Sequence, residues 1–168
     1  PYVYQENTQG LIRGLIFSFG IIIVVIGVTL RSVRFGLISV IPNVVPFLLA
    51  YGVLSIFTKV VTFSHTVAIL IAIGLVVDAT IHFLTKFKKA NSMNLSPYDA
   101  IQYCYKYVGY PIIVASVCLF SGFLFLIQSS FQTNYVLGGM CALIILLALI
   151  IDLLLLPSLL LIFGNKSK

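Results

Sequence analysis

The chain has 168 residues, 61% of them hydrophobic and 8% charged, with a mean hydropathy of +1.16, against about 45–50% apolar and about 25% charged residues in an ordinary soluble domain. Ten basic and four acidic side chains cannot keep the surface of a soluble core of this length wet, so a water-soluble globule is excluded. The net charge of +6 is no nucleic-acid footprint, because the basic residues stand between apolar segments rather than on one face among aromatics.

After a lead-in over residues 1–10, five apolar stretches follow, at about 11–30, 36–57, 63–84, 108–128 and 135–156. Each reaches the roughly 20 residues that a spanning helix needs. A closed β-barrel would alternate in polarity, whereas Ile21-Ile22-Ile23-Val24-Val25-Ile26 is apolar throughout, and hydrocarbon leaves helices as the remaining way to satisfy the backbone. The expected class is an all-α integral membrane protein with a five-helix transmembrane domain over 11–163. The chain opens on Pro1 with no basic-then-apolar leader, so it reads as an internal or C-terminal piece of a longer protein.

The basic residues give an expected orientation. Arg31 and Arg34 follow the first stretch, Lys86, Lys88, Lys89 and Lys106 lie between the third and fourth, and Lys166 and Lys168 end the chain, whereas Arg13 and Lys59 fall on the other side. The side rich in Lys and Arg is cytoplasmic. The N-terminus is then outside the plasma (inner) membrane, and the tail 164–168 is inside.

The connection 85–107 is expected to be a cytoplasmic linker. Within it Ser96-Pro97-Tyr98-Asp99 starts a short helix, with Ser96 as N-cap, Pro97 at the first position and Asp99 completing a box-like reciprocal cap. The tyrosines that follow suit an interfacial helix.

The stretch Gly74 to Leu84 concentrates the polarity of the third span. Gly74, Asp78 and His82 are spaced by four and form one stripe. A charge near the bilayer centre costs about 2.5–3.5 kcal/mol, so Asp78 should face the bundle or a water-filled cavity. Gly74 would let another helix approach. Asp78 has the chemistry of a proton-relay acid and also that of a hydrogen-bonding link between helices. His82 can pass a proton or pack at the interface.

Thr80 and Ser116 are supporting polar residues, with Ser116 placed to hydrate or bond Asp78. Asp152, late in the last span, either joins the same polar centre or caps the turn loosened by Pro157, and the structural role is favoured. Pro42 and Pro46 shape the second span around Asn43. Cys104, Cys118 and Cys141 have no metal-ligand spacing and read as packing residues. No phosphate loop, zinc pattern or nucleophile elbow appears. Val76 stands where an intramembrane aspartyl protease usually has glycine, so neither an enzyme nor a cofactor or metal is expected.

Taken in order, Leu30-Arg31-Ser32-Val33-Arg34-Phe35-Gly36-Leu37, Ile41-Pro42-Asn43, Gly74 to Leu84, Gly122-Phe123, Ser129-Ser130-Phe131 and Asp152 to Leu156 with Pro157 resemble the resistance-nodulation-division (RND) superfamily. The likeness is to its MMPL-like, Patched-related exporters and extends over about Gly10 to Phe163. The resemblance implies the last five helices of a twelve-helix permease made of two repeats, with Asp78 at the position of the proton-relay acid. Two departures thin the polar centre: Ala79 stands where a second acid or tyrosine is frequent, and Ala115 where a threonine often precedes the serine matched by Ser116.

The expected function is proton-driven export of lipidic or hydrophobic molecules. The expected partners are membrane lipids, such a substrate and the N-terminal half of the permease, with homo-oligomer formation left open. A sterol-sensing type of lipid-binding regulatory domain and a membrane scaffold without transport are the alternatives.

Overall fold

The computed structural model describes the backbone over residues 2–57 and 63–163, and among these residues every regular element is helical. Helix α1 is Tyr2–Thr29, α2 Val33–Phe57 and α3 Phe63–Ser92; α4, Pro97–Cys104, runs through a π-helical turn at Tyr105–Gly109 into α5, Tyr110–Leu126; α6 is Gln132–Phe163. Among the described residues four stretches are long and apolar enough to cross a membrane, Val33–Ile56, Ser64–Ser92, Pro97–Leu126 and Gln132–Phe163, and a shorter apolar helix covers Ile16–Thr29. Lys59, Lys166, Lys168 and the tail 164–168 lie outside the described residues, as do the side chains of residues 1–12, Leu15, Phe57 and Phe63.

The chain forms a multi-pass helical bundle around α6, which packs on α5, α3 and α2, while α1 is held mainly by α2. Ile144, Leu156 and Leu160 of α6 are fully buried together with Ile69, Phe83 and Leu84 of α3. Outward faces carry large apolar side chains such as Phe17, Ile56, Phe125 and Ile162. That distribution suits a lipid solvent, where an exposed apolar side chain costs nothing.

Residues 85–107 differ from the expected linker. Helix α3 runs on to Ser92, the irregular connection is confined to residues 93–96, and the helical path from Pro97 continues unbroken into α5. The short helix expected after Ser96 is present as α4, and it continues into α5 rather than ending in a loop. Ala100, Ile101 and Cys104 are buried, and α4 packs on the end of α3, so the tyrosine-rich stretch begins the continuous apolar helical stretch Pro97–Leu126. Lys86, Lys88 and Lys89 read as loop residues, but lysine is a good helix former and its stem lies along apolar surface while the ammonium reaches out.

Ser96 caps α4 by accepting from the Asp99 amide at 3.2 Å. Its hydroxyl also donates to Asp99 Oδ2 at 2.6 Å, so the return bond of the box is made between side chains.

The corner between α1 and α2 is a Schellman turn. Ser32 N bonds Gly27 O at 3.0 Å, Arg31 N bonds Val28 O at 3.1 Å, and Arg31 takes the left-handed position with φ 46°. The Leu30 carbonyl at this corner accepts from Lys88 Nζ. Beside it Phe35 meets Phe87 edge to face with ring centres 6.2 Å apart. A lysine read as a topology charge thus also joins the far end of α3 to the first helix pair.

Candidate functional site: an outward Asp–His pair and a buried polar chain

Helix α3 presents two polar faces. Positions 78 and 80 differ by roughly 200° around a helix of 3.6 residues per turn, so Asp78 and Thr80 must point to nearly opposite sides. The outward face carries Asp78 and His82, with Nε2 of His82 3.5 Å from Oδ1 of Asp78 and side chains 64% and 73% exposed for His82 and Asp78 respectively. Gly74 lies on the same face, and a Cβ built there would meet no atom within 4 Å. No described helix of this chain comes close to Gly74.

Asp78 and His82 border a cleft of about 240 Å³ between α3 and α5, lined also by Leu75, Ala79, Ala115 and Ser116. Both alanines that thin the polar centre by sequence are in its wall. Ser116 is half-buried and lines this cleft on the α5 side.

The inward face carries Thr80, completely buried, with Asp152 of α6, 1% exposed, and Asn43 of α2, also buried. Thr80 Oγ1 lies 2.9 Å from Asp152 Oδ1 and 3.2 Å from Asn43 Oδ1. Asn43 Nδ2 donates to the Ser39 carbonyl at 2.7 Å, one turn back in its own helix. Ser39 in turn donates to the Gly36 carbonyl at 2.7 Å. One polar chain therefore ties three helices together in the apolar interior, and its members satisfy each other, as burial away from water demands.

Asp152 belongs to this chain and does not cap the turn opened by Pro157. Proline at 157 removes the donor to the Leu153 carbonyl, and that carbonyl accepts instead from the hydroxyl of Tyr105. A small cavity of about 20 Å³ lies against Asp152, with Ser116, Ala79, Leu75 and Leu119 in its wall. Those four residues line the cleft of Asp78 as well.

The six residues singled out by sequence thus divide in two. Gly74, Asp78 and His82 share the outward face, Thr80 and Asp152 share the buried chain, and Ser116 lies beside both cavities. Asn43 was not among them. Its signal was present, an amide between two prolines in an apolar span with Ser39 one turn before it. Among the described residues no group of three His, Cys, Asp or Glu side chains is arranged to hold a metal.

No match is found among curated proteins. The profile described as MMPL family matches residues 4–168, which takes in the Gly74 to Leu84 segment, Asn43 and Asp152 alike, and on that match the chain belongs to the MMPL family.

Proposed function

We propose that the chain is the C-terminal transmembrane part of a proton-driven secondary transporter that exports lipidic or hydrophobic molecules, with Asp78 as its intramembrane relay acid. The observation that carries this reading is the exposed Asp78–His82 pair, set over a cleft on a helix of membrane-spanning length. Left against lipid, a charge there would cost about 2.5–3.5 kcal/mol. The pair is therefore to be covered by the other half of the permease, whose polar groups share the proton.

His82, one turn from Asp78, passes the proton on, and the half-buried Lys86 continues the same stripe. One proton crossing 100 mV releases about 2.3 kcal/mol, enough to bias two conformations of the bundle. The membrane is the plasma membrane, with the N-terminus outside. Support for that orientation comes from Arg31, Arg34, Lys86, Lys88, Lys89 and Lys106, and from the Lys88 bond that gathers the α1–α2 corner and the end of α3 at one end of the bundle. The chain does no covalent chemistry of its own in this reading.

The test is Asp78→Asn in the complete protein, reconstituted in vesicles with an imposed proton gradient. Insertion and folding persist and gradient-driven export disappears. Export at the wild-type rate would remove the relay role from Asp78.

A further inference from the structure

We propose that Asp152 is a second proton-holding group, a latch whose protonated carboxyl ties α2 to α3 and α6 and whose proton leaves toward Asp78 past Ser116. The inference rests on the proposed relay and adds what that reading lacks, a way for the proton to act on helix packing.

The amide of Asn43 donates to the Ser39 carbonyl at 2.7 Å, which turns its carbonyl oxygen, an acceptor only, toward Thr80. Thr80 has one hydroxyl hydrogen and faces two acceptors, Asn43 Oδ1 at 3.2 Å and Asp152 Oδ1 at 2.9 Å. Its third neighbour, the Val76 carbonyl at 3.5 Å, is beyond useful bonding range.

If Asp152 is ionised, Thr80 must give its hydrogen to the carboxylate, and the Asn43 oxygen is left in the interior without a donor. If Asp152 carries a proton, the chain closes in one direction: Asp152 donates to Thr80, Thr80 to Asn43, and Asn43 to Ser39. A hydroxyl can accept and donate at once, so every member is satisfied. The closed chain runs from α6 through α3 to α2.

The cavity against Asp152 supplies the exit. Its volume of about 20 Å³ accommodates one water, and Asp152 is the ionisable residue in its wall. Ser116, Leu75, Ala79 and Leu119 separate it from the Asp78 cleft and line both spaces. A proton passes from the Asp152 carboxyl to that water and on to the Asp78 carboxylate or to His82, so that one acid gains what the other loses and net charge is unchanged.

On proton loss the Thr80 hydrogen turns to Asp152 and α2 loses its tie at Asn43. The ionisable groups facing this route are Asp78 and His82 from α3. Tyr105, in the π turn against α6, gives its hydroxyl to Leu153 instead.

The experiment is infrared difference spectroscopy of the complete protein between low and high pH, paired with proton flux into vesicles followed by an entrapped pH dye. A protonated-carboxyl band is expected that disappears in Asp152→Asn, shifts in Thr80→Val and remains in Asp78→Asn, with flux lost in both aspartate variants. Absence of such a band, or a band that Thr80→Val leaves in place, overturns the latch. The Thr80→Val spectrum decides the matter even if Asp152→Asn does not fold, since valine keeps the volume and removes the hydroxyl alone. Flux lost in Asp78→Asn but normal in folded Asp152→Asn overturns this inference and leaves the relay standing. Normal flux in Asp78→Asn removes the relay itself.

Discussion

The hydroxyl of Tyr105 donates to the Leu153 carbonyl, the acceptor in α6 that Pro157 deprives of its helical donor. Its ring meanwhile stands edge to face on Phe83, with centres 5.9 Å apart. Tyr105→Phe keeps the ring contact and leaves the carbonyl without a partner, at a cost of about 1 kcal/mol. In a Pro157→Ala background the backbone amide returns to Leu153, and the same Tyr105→Phe change becomes nearly silent. A double-mutant cycle on unfolding of the complete protein in detergent measures the coupling. Additive losses would mean that the hydroxyl serves something other than the proline gap.

Gly138 sits where α6 crosses the end of α5. A Cβ there would come within 2.7 Å of both the Leu126 Cβ and the Phe123 carbonyl, and backbone cannot yield as a flexible side chain does. Gly138→Ala is expected to destabilise by about 1–3 kcal/mol through forced separation of the two helices. Gly139→Ala, with nothing within 4 Å of the added atom, is the matched control and changes stability little. Equal losses at both positions would mean that crowding at Gly138 is not the cause, since a change from glycine to alanine by itself lowers the freedom of the unfolded chain and stabilises.

Helices were legible because hydrocarbon admits no other regular answer to long apolar runs; among the described residues four of the five expected runs coincide with stretches long enough to cross a membrane, while the first is represented by the shorter apolar helix Ile16–Thr29. What the sequence hid was continuity. Lys86, Lys88 and Lys89 look like a loop by charge, yet they are the end of α3, and the turn after it needs only residues 93–96. The stripe at 74, 78 and 82 was also visible by spacing, but spacing does not tell which way a stripe faces. In this chain Asp78 and His82 point out of the bundle and Thr80 points in. Asn43 and Asp152 are far apart in sequence, and only tertiary packing brings both to Thr80.

Arg31 holds φ at 46° to close the Schellman turn after α1. A non-glycine residue in that conformation carries a penalty of about 1–2 kcal/mol, part of which glycine returns through its larger freedom in the unfolded chain. Arg31→Gly should therefore stabilise by somewhat less than about 1 kcal/mol, read as a higher melting temperature in detergent. Arg31→Ala removes the same charge but keeps the strain and should show no gain. Orientation is expected to survive both changes, since Arg34, Lys86, Lys88, Lys89 and Lys106 remain on the same side. A matching rise in the alanine variant would trace the effect to charge instead of to backbone geometry.

Asn43 distinguishes a polar tie from simple space filling. Asn43→Leu keeps a side chain of similar size between Pro42 and Pro46 but removes the acceptor for Thr80 and the bond to Ser39. Thr80 can turn its hydrogen to Asp152 Oδ1 at 2.9 Å when that carboxyl gives up its proton, so the loss should stay near about 1 kcal/mol, the worth of an ordinary buried hydrogen bond. Asn43→Ala removes the same bonds and opens a gap between α2 and α3 besides, which raises the expected cost to about 2 kcal/mol. Unfolding of the two variants under one set of conditions gives the order. If leucine proved the more damaging, the site would be short of room rather than of hydrogen bonds, and the polar chain would have little part in holding α2 to the bundle.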